Sequence, residues 1–357
     1  MQIIVDGRLL SPHQTGISRY AEQIIDHYIL KAGKNNVRVL CNHYIPEKYS
    51  SINIKCPFRP YSLVDWARLP DFLEQFSAEL LHFPQYSGVW RPLKRSRIVM
   101  TVHDLMFRKI NGFFFDQVML NRLAVFSFEL MIKRSLKQAD QIIAVSETTR
   151  TDLLELGGFE SVVIREGLNE VESETKKNYN ALSKYGLRAG AFFLYAGNLR
   201  PQKNIPFLIE CFLKSGVEAD LVLCGQARNK DLRKIKPSVA IHPSIKILGF
   251  IPDEELLQLY KNCKAFVYPS LYEGFGLPIL EALAQGAVVY SSSAGALKEF
   301  KESGIHFFNP ENQDSLTELF KSGDRNENKS SPDISAKFNW REPLEKTWEL
   351  INAVVKS

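Results

Sequence analysis

Runs of valine, isoleucine and phenylalanine alternate along the chain with segments in which apolar residues recur every three to four positions. Such alternation is typical of strand, helix, strand units that build a parallel sheet. In the first half of the chain the pattern predicts a first series of strands and helices. The strands are predicted at residues 2–6, 37–41, 80–83, 98–103 and 141–145, and the helices at 17–30, 116–138 and 147–156.

A second series of the same kind begins after residues 169–180, a polar stretch without an apolar period that we interpret as a linker. Its strands are predicted at residues 192–196, 221–224, 245–248, 265–268 and 288–290, and its helices at 206–213, 254–262, 278–284 and 314–320. Another polar stretch, residues 322–333, precedes a last amphipathic helix at 341–356. The predicted fold is therefore α/β, with two doubly wound, Rossmann-like domains facing a central cleft.

The composition is that of a globular protein, since 45% of the 357 residues are hydrophobic and 24% are charged. No segment approaches the run of about 18 apolar residues that spans a membrane, and the first ten residues have a strand pattern and not that of a secretory signal. We therefore predict a cytoplasmic location. The five cysteines are widely spaced without a C-x-x-C pair, which predicts reduced, mostly buried thiols and no zinc site.

The formal net charge of +5 is unevenly distributed. Residues 86–137 contain ten basic and three acidic side chains, and the same segment contains Phe113, Phe114 and Phe115. Basic charge beside aromatic bulk is what a protein that contacts an anionic lipid surface would carry, although a solvated basic helix face beside core phenylalanines fits equally well. Nucleic acid is not expected as a partner because no recognised binding motif accompanies the charge.

Several nucleotide-binding motifs are absent from the sequence. Neither half has G-x-G-x-x-G after its first strand, and the chain has no G-x-x-x-x-G-K-[ST] motif, so dinucleotide and P-loop chemistry are disfavoured. No D-x-D motif occurs, which is the pattern that would hold a divalent metal against a diphosphate. If the ligand is a nucleotide, a mechanism without a metal ion follows.

The segment from Ser270 to Gly286, S-L-Y-E-G-F-G-L-P-I-L-E-A-L-A-Q-G, carries the most information about chemistry. A glycine-rich turn follows the strand at 265–268, Pro278 is placed to begin a helix, and Gly286 is placed to end it. An exposed helix start of this kind would bind an anion such as a diphosphate. The binding N–H groups would be those of Phe275, Gly276 and Leu277, and Gly274 and Gly276 would let the backbone come close to the anion.

Two carboxylates flank this turn. Glu273 precedes it and Glu281 is expected in the first turn of the helix, so both can face one bound ligand. Considered alone, Glu281 could equally be a capping residue that reaches back to the helix start, and Glu273 could be a solvated loop acid.

The sequence E-G-F-G-L-P-I-L-E resembles the E-x7-E signature of retaining glycosyltransferase family 4, whose members have the GT-B fold. The resemblance covers nearly the whole chain, because further segments of the family pattern occur in the same order and spacing. They are T-G-I-S-R-Y at 15–20, T-V-H-D-L at 101–105, A-V-S-E at 144–147, G-N-L-R-P-Q-K-N at 197–204 and Y-P-S at 268–270. The resemblance implies metal-independent transfer of a sugar from a nucleotide donor with retention of anomeric configuration. It also implies an acceptor domain at residues 1–168, to which residues 341–357 cross back, and a donor domain at residues 181–340.

For the donor domain the resemblance implies a basic pair that holds the donor diphosphate. Lys203 matches one member of this pair, and Arg200 would supply the second charge because Asn198 stands where many members have arginine. Glu281 would bind the ribose hydroxyls, while Glu273 would lie near the donor sugar and stabilise positive charge at the anomeric carbon. We count Lys203, Arg200 and Glu273 among the candidate catalytic residues, and Asn198, Gly274, Phe275, Gly276, Leu277 and Glu281 among the donor-binding ones.

For the acceptor domain the resemblance places His103 against the transferred sugar, at the mouth of the crevice. Gly16, in the first loop, would let the chain approach the donor phosphate or the acceptor, while Thr15 is more readily explained as a helix cap. Asp104 is expected to brace His103 or the following loop. Glu166 stands where the family often has asparagine, so the resemblance carries no contact over to that position.

The predicted function is synthesis of a cell-surface glycan, such as lipopolysaccharide or capsule, from a GDP- or UDP-linked hexose without a cofactor. The acceptor would be a glycan or a lipid-linked saccharide, and the enzyme would touch the anionic inner face of the membrane peripherally. Two other readings remain open: a nucleotide-sugar 2-epimerase of the same architecture, and a non-catalytic sugar-nucleotide-binding protein. Mannose from GDP-mannose is a candidate donor, because proteins of this family with T-G-x-x-R-Y resemble mannosyl- or rhamnosyltransferases.

Overall fold

The computed structural model describes residues 1–12, 15–168, 181–226, 231, 232, 235, 242–302, 304–323 and 334–356. The chain forms two compact units, one made of Met1–Gly167 with Trp340–Ser357 and the other of Leu168–Asn339. The predicted linker at residues 169–180 lies outside the described residues, as does most of the polar stretch at 322–333.

The first unit contains a seven-stranded sheet in the order β3-β2-β1-β4-β5-β6-β7, and every pairing is parallel. Its strands are β1 (Ile3–Asp6), β2 (Val37–Cys41), β3 (Asn53–Lys55), β4 (Leu80–Phe83), β5 (Arg97–Val102), β6 (Gln141–Ala144) and β7 (Val162–Val163). The strand order reverses between β1 and β4. Ligands of doubly wound sheets bind at the carboxyl ends of the strands beside such a reversal.

The helices of the N-terminal segment follow the strands as expected for a doubly wound unit. They are α1 (Gly16–Ala32), α2 (Leu63–Leu73), α3 (Met106–Lys109), α4 (Val118–Leu136) and α5 (Glu147–Gly157), with 3₁₀ turns at Lys34–Asn36 and Glu47–Ile52. Helix α2 was not predicted, because Pro70 lies inside it and a proline normally ends a helix. The Ser62 hydroxyl caps its start by accepting a hydrogen bond from the Asp65 N–H at 3.1 Å.

Both faces of this sheet are buried. Along β1, Ile4 belongs to one apolar cluster while Ile3 and Val5 belong to another, because successive side chains of a strand point to opposite faces. Phe113 and Phe114 pack against the first of these clusters. Of the two interpretations that the sequence left open, that of core phenylalanines fits these two half-buried residues, whereas Phe115 is 50% exposed.

The second unit contains a six-stranded parallel sheet in the order β10-β9-β8-β11-β12-β13. Its strands are β8 (Phe192–Ala196), β9 (Asp220–Cys224), β10 (Ile245–Gly249), β11 (Ala265–Tyr268), β12 (Val289–Ser292) and β13 (Ile305–Phe308). Its helices are α6 (Ala181–Lys184), α7 (Ile205–Ser215), α8 (Asp253–Asn262), α9 (Leu277–Ala284), α10 (Gln313–Ser322) and α11 (Ile334–Lys337), with 3₁₀ turns at Pro201–Lys203 and Gly295–Glu299. The predicted pair of doubly wound α/β domains is confirmed.

The last helix, α12 (Arg341–Lys356), belongs to the first unit although it follows the second in the chain. Its Leu344 and Ile351 are part of the apolar cluster that contains Ile3 and Val5. The Trp348 ring lies 5.7 Å from the ring of Tyr28 on α1.

The prediction of reduced, mostly buried thiols is confirmed: all five cysteines are free, and four of them are buried. None of the helices among the described residues has both the length and the apolar character that crossing a membrane requires.

Candidate active site

The loop after β8 begins where two strand ends meet backbone to backbone. Gly197 has φ +149° and Gly225, at the end of β9, has φ +132°. A Cβ atom on Gly225 would lie only 1.8 Å from the carbonyl oxygen of Gly197, so no other residue fits there. The Tyr195 hydroxyl donates to the Asn198 carbonyl at 2.6 Å, which fixes the start of the loop that carries the predicted basic residues.

Lys203 points into the second unit from the 3₁₀ turn that ends this loop. Its Nζ donates to Glu273 Oε1 at 2.5 Å and to the Tyr268 hydroxyl at 2.6 Å, and it lies 4.8 Å from the centre of the Tyr268 ring. Lys203 and Glu273 are each only 8% exposed. The structure thus brings together two predicted site residues that are 70 positions apart in the sequence.

The Glu273 backbone is held as firmly as its side chain. Its carbonyl accepts a hydrogen bond from the Ala296 N–H at 3.0 Å, and a Cβ atom on Gly295 would approach that carbonyl to 2.6 Å. The Leu271 N–H donates to the Gln202 carbonyl at 2.8 Å. The loop that carries Glu273 is therefore tied by backbone contacts to the loop that carries Lys203.

Helix α9 starts one residue earlier than predicted, at Leu277, with Pro278 second and Gly276 as the capping residue at φ +125°. Glu281 is consequently the fifth helical residue and lies in the second turn, not the first. Its Oε2 accepts a hydrogen bond from the Tyr260 hydroxyl at 3.3 Å, and the side chain is half-buried.

The three turn residues before α9, Gly274, Phe275 and Gly276, are buried, and Leu277 is half-buried, so the helix start is less exposed than predicted. Gly274 is closed off from solvent, and the Phe275 ring packs against that of Phe300 at 5.6 Å. This packing fixes the backbone that leads into the helix start.

Arg200 and Asn198 are both exposed. The Asn198 amide oxygen accepts a hydrogen bond from the Arg200 N–H at 3.3 Å, which shapes the loop locally. Within the described part of the chain the Arg200 guanidinium makes no hydrogen bond or ion pair, whereas the Lys203 charge is already matched by Glu273. The two cations of the predicted pair therefore differ in how available they are to an anion.

His103 follows β5 in the first unit, and its side chain is buried, not open at a crevice mouth as predicted. Its Nδ1 lies 2.7 Å from Glu166 Oε1 and its Nε2 lies 2.9 Å from the Pro84 carbonyl oxygen. Burial by itself would lower the pKa of His103, but the hydrogen bond to Glu166, the Glu166 charge and the Pro84 carbonyl raise the pKa above its ordinary value. The sequence did not predict that Glu166 pairs with His103. The position was considered only through the family resemblance, which carried no contact over to it.

Asp104 braces the loop that follows His103, because its carboxylate accepts a hydrogen bond from the Met106 N–H at 3.0 Å. Gly16 is the first residue of α1 and is exposed. A Cβ atom placed on it would meet no described atom within 4 Å, so packing within the described residues does not require a glycine there. Thr15 caps the helix by accepting a hydrogen bond from the Ser18 N–H at 3.2 Å, as predicted.

A charged cluster at the carboxyl end of β1 was not anticipated from the sequence. The Arg8 guanidinium donates to both carboxylate oxygens of Asp6 at 2.8 Å and also to Asp65, while the Ser87 hydroxyl donates to Asp6 at 3.0 Å. Burial outweighs the attraction of Arg8 and raises the pKa of Asp65 to about 6. The sequence signal for this cluster is the tripeptide D-G-R at residues 6–8, at the end of the first strand.

Among the described residues no three histidine, cysteine, aspartate or glutamate side chains converge as metal ligands. The candidate residues occur in both units. In the second unit Lys203 contacts Glu273, Arg200 lies in the loop before Lys203, and Glu281 is on α9; in the first unit they are the His103–Glu166 pair and the exposed Gly16.

Two doubly wound parallel-sheet units of this kind fit the GT-B class of fold. The family model described as Glycosyltransferase Family 4 matches residues 15–170, and that described as Glycosyl transferases group 1 matches residues 183–332. The chain belongs to glycosyltransferase family 4.

Among curated proteins, the chain is similar to O-antigen chain mannosyltransferase B of Escherichia coli, with 28% identity over 67% of this chain and 63% of that protein. It is also similar to O-antigen chain mannosyltransferase RfbU of Salmonella typhimurium, with 26% identity over 70% of this chain and 65% of that protein. The chain thus spans somewhat less than two thirds of the length of these relatives.

Among solved structures, the chain resembles sucrose-phosphate synthase from Thermosynechococcus elongatus, with a TM-score of 0.75 and 20% identity over 99% of both chains. It also resembles Anabaena Alr3699/HepE in complex with UDP and glucose, with a TM-score of 0.71, 17% identity, and coverage of 99% of this chain and 100% of that one. At these identities the likeness shows the shared fold alone.

Proposed function

We propose that this protein transfers a hexose from a nucleotide-sugar donor to a glycan or lipid-linked acceptor in surface polysaccharide synthesis. The observation that carries this proposal is the convergence of Lys203, Tyr268 and Glu273 beside the carboxyl end of β11, where Glu273 begins the E-x7-E segment. Transfer proceeds with retention of anomeric configuration and needs neither a metal ion nor a cofactor.

Departure of a nucleoside diphosphate requires that its growing negative charge be stabilised. Arg200, whose guanidinium is exposed, and Lys203 supply positive charge, and the start of α9 supplies backbone N–H groups and the positive end of a helix dipole. Since Lys203 is paired with Glu273, a diphosphate competes with that carboxylate for the ammonium group. Glu273, once released, lies where it can stabilise positive charge on the sugar, and Glu281 binds the ribose.

We propose mannose as the transferred sugar and GDP-mannose as the donor. Support comes from the names of two relatives, which are O-antigen mannosyltransferases of E. coli and S. typhimurium. A UDP-linked hexose is the competing donor.

A thermal-shift screen over GDP-, UDP-, dTDP- and ADP-sugars in EDTA tests donor choice and metal independence together. A ligand at 100 times its Kd stabilises the folded chain by about 2.7 kcal/mol, which is readily visible as a shift in Tm. We expect GDP-mannose to stabilise the protein in EDTA, and Lys203→Met to abolish the shift, while Lys298→Met, which removes an exposed lysine of the same unit, retains it. An absolute requirement for Mg²⁺ or Mn²⁺ would refute the metal-independent mechanism.

The same purified protein distinguishes the two alternative functions, a nucleotide-sugar 2-epimerase and a non-catalytic binding protein. Conversion of the donor to its 2-epimer in the absence of acceptor would indicate an epimerase. Donor binding without hydrolysis or transfer to any lipid-linked saccharide extract would indicate a binding protein.

We further propose that the enzyme docks on the anionic inner face of the membrane, through helix α4. Four large apolar side chains of this helix are largely exposed at a spacing that places them on one face. They are Met119, Leu123, Phe126 and Leu130, which are 77%, 66%, 67% and 46% exposed. The opposite face, which includes Phe128 and the fully buried Ile132, packs on the core.

The same face becomes basic toward the end of the helix. Arg134 and Lys137, both exposed, continue the spacing of the apolar residues, and Lys137 lines a cleft together with Lys94 and Arg95. An apolar stripe that continues into basic residues matches the order of acyl chains and anionic headgroups at a lipid surface. A second copy of this chain would instead bring the same basic residues together.

Half of the ten basic residues at 86–137 are paired with acidic side chains: Arg108, Lys109, Lys133 and two further arginines. Arg91 is paired with Asp71 at 2.5 Å and with Glu74 at 2.8 Å, and Arg97 is paired with Asp140 at 2.8 Å. A paired cation attracts headgroups more weakly, so the relevant charges are those near the end of α4.

Co-sedimentation with phosphatidylglycerol-containing vesicles tests the docking. Basic residues contribute about 1 kcal/mol each near an anionic surface, so Arg134→Gln with Lys137→Gln is expected to weaken binding roughly thirtyfold at low salt. Met119→Ser with Phe126→Ser should weaken it too, whereas Leu30→Ser with Leu63→Ser, which changes exposed leucines elsewhere, should not. Binding that is absent at low salt, or unaffected by the α4 changes, would refute docking through this helix. Lipid-independent dimerisation lost in the same variants would assign the face to a second copy.

A further inference from the structure

His103 is held at both ring nitrogens by groups that only accept hydrogen bonds. The Pro84 carbonyl oxygen lies 2.9 Å from Nε2, and a carboxylate oxygen of Glu166 lies 2.7 Å from Nδ1. A carbonyl oxygen has no proton to give, so Nε2 carries one. A carboxylate likewise only accepts, and a second proton on Nδ1 to match it would make the ring an imidazolium.

The surroundings favour the charged ring. Asp104, the next residue, adds negative charge, while the Tyr20 ring packs edge-on against the imidazole at 4.8 Å and adds no charge. His82 on β4 interacts electrostatically with His103 and could oppose a second positive charge, but burial lowers the pKa of His82 to about 3, so it is neutral. The Thr149 hydroxyl donates to the His103 carbonyl at 3.1 Å and fixes the backbone that carries the ring.

We propose that Glu166 is a positioning residue that keeps His103 doubly protonated, so that His103 meets a ligand only as a charged hydrogen-bond donor. An imidazole whose Nδ1–H is held by a carboxylate ordinarily leaves a lone pair on Nε2, and it can then act as a base. Here Nε2 also carries a proton, which it donates to the Pro84 carbonyl, so His103 cannot act as a base. When Nε2 turns from Pro84 to a ligand oxygen, it brings a charge-assisted hydrogen bond.

The effect on turnover rests on the proposed glycosyl transfer and on the resemblance, which places His103 against the transferred sugar. The protonation state of His103 does not rest on it. Nitrogen-15 NMR of the full chain labelled at histidine reads that state directly, with His103→Gln used to assign the signals. We expect both ring nitrogens of His103 to carry protons at pH 7.5 in the wild-type protein.

Glu166→Gln removes the carboxylate but keeps a side chain of the same size. At an ordinary pKa of about 6.5, only about a tenth of the histidine is charged at pH 7.5, so the variant should show a predominantly neutral His103. Its kcat/KM should fall by up to about tenfold for each pH unit above that pKa, while the corresponding loss in the wild-type protein begins at a higher pH. Glu160→Gln, which removes an exposed carboxylate six residues earlier, should reproduce the wild-type profile.

A neutral His103 in the wild-type protein at pH 7.5 would overturn the proposal, and this measurement needs no variant to fold. An unchanged protonation state in Glu166→Gln would overturn it as well. A doubly protonated His103 that becomes neutral in the variant, in a protein that transfers no sugar, would support the Glu166 pairing and count only against the glycosyl-transfer function.

Discussion

The pair formed by Lys203 and Glu273 allows a quantitative test of the donor-side site. Both side chains are about nine-tenths buried, and the ammonium nitrogen lies 2.5 Å from the carboxylate oxygen. Lys203→Met would leave Glu273 as a buried charge without its partner. Removing one member of a buried ion pair typically costs about 3–5 kcal/mol in unfolding free energy, and we expect a loss of this size.

The double variant distinguishes the ion pair from the side chains as such. In Lys203→Met with Glu273→Gln neither charge remains, so no buried ion is left uncompensated. We expect the double variant to be more stable than Lys203→Met alone, with an interaction free energy of about 2–3 kcal/mol between the two positions.

Equilibrium urea denaturation measures these free energies, but the probe matters. All four tryptophans, Trp66, Trp90, Trp340 and Trp348, lie in the first unit, so tryptophan fluorescence does not report the second unit directly. Far-UV circular dichroism follows both units and is the appropriate measurement. Single-variant costs below about 1 kcal/mol, or costs that simply add in the double variant, would refute the conclusion that this pair is a coupled buried ion pair.

Three other substitutions give separate tests. Gly225→Ala should prevent stable folding of the second unit, because its Cβ atom would lie 1.8 Å from a backbone oxygen at a φ of +132°; a soluble variant with wild-type circular dichroism and Tm would contradict this. Glu281→Ala should weaken nucleotide affinity more than it slows the chemical step, since a ribose contact is largely uniform binding; calorimetry that gives equal donor affinity would contradict it. Burial lowers the pKa of His82 to about 3. Below pH 6.5 the histidine is therefore protonated in the unfolded chain but not in the folded chain, and the free energy of unfolding should fall by up to about 1.4 kcal/mol per pH unit. Urea denaturation at pH 7, 6 and 5 should show this acid loss in wild type and a smaller one in His82→Gln.

The central strands could be predicted because their side chains are apolar almost without interruption. Strands β8 and β11 have the predicted bounds, since a parallel strand buried on both faces reads as a continuous apolar run. Strand β3 contains only Asn53, Ile54 and Lys55, and β7 contains two residues, so neither shows a recognisable pattern. Edge strands of this length are defined by pairing with a neighbour, which sequence periodicity does not contain.

Most residues of the candidate site could be predicted from the sequence, but the contacts between them could not. Lys203 and Glu273 were both proposed from local motifs, yet nothing in either motif indicates that they pair across 70 residues. Glu166 lies 63 residues from His103, and their hydrogen bond depends on how the loops after β5 and β7 converge. Local motifs identify which residues lie at one edge of a sheet. The residue that pairs with each of them, and so determines its charge state, is decided by tertiary packing.

His82 and His103 show that burial alone does not decide the charge of a histidine. Both are buried in the first unit, but the pKa of His82 is lowered and that of His103 is raised. The partners of His82 are the hydroxyls of Tyr28 and Thr101, at 2.8 and 3.0 Å, and a hydroxyl can donate or accept, so a neutral ring is fully satisfied. The partners of His103 only accept.

The two rings consequently affect stability in opposite directions as pH changes. The contribution of His82 is complete above the unfolded pKa of about 6.5 and is lost as pH falls toward 3. The contribution of His103 is complete below about 6.5 and is lost as pH rises through its raised folded-state pKa. Both losses begin at about pH 6.5, so the first unit is expected to be most stable near that pH. Replacing Glu166 by glutamine should remove the alkaline loss while leaving the acid loss of His82 in place.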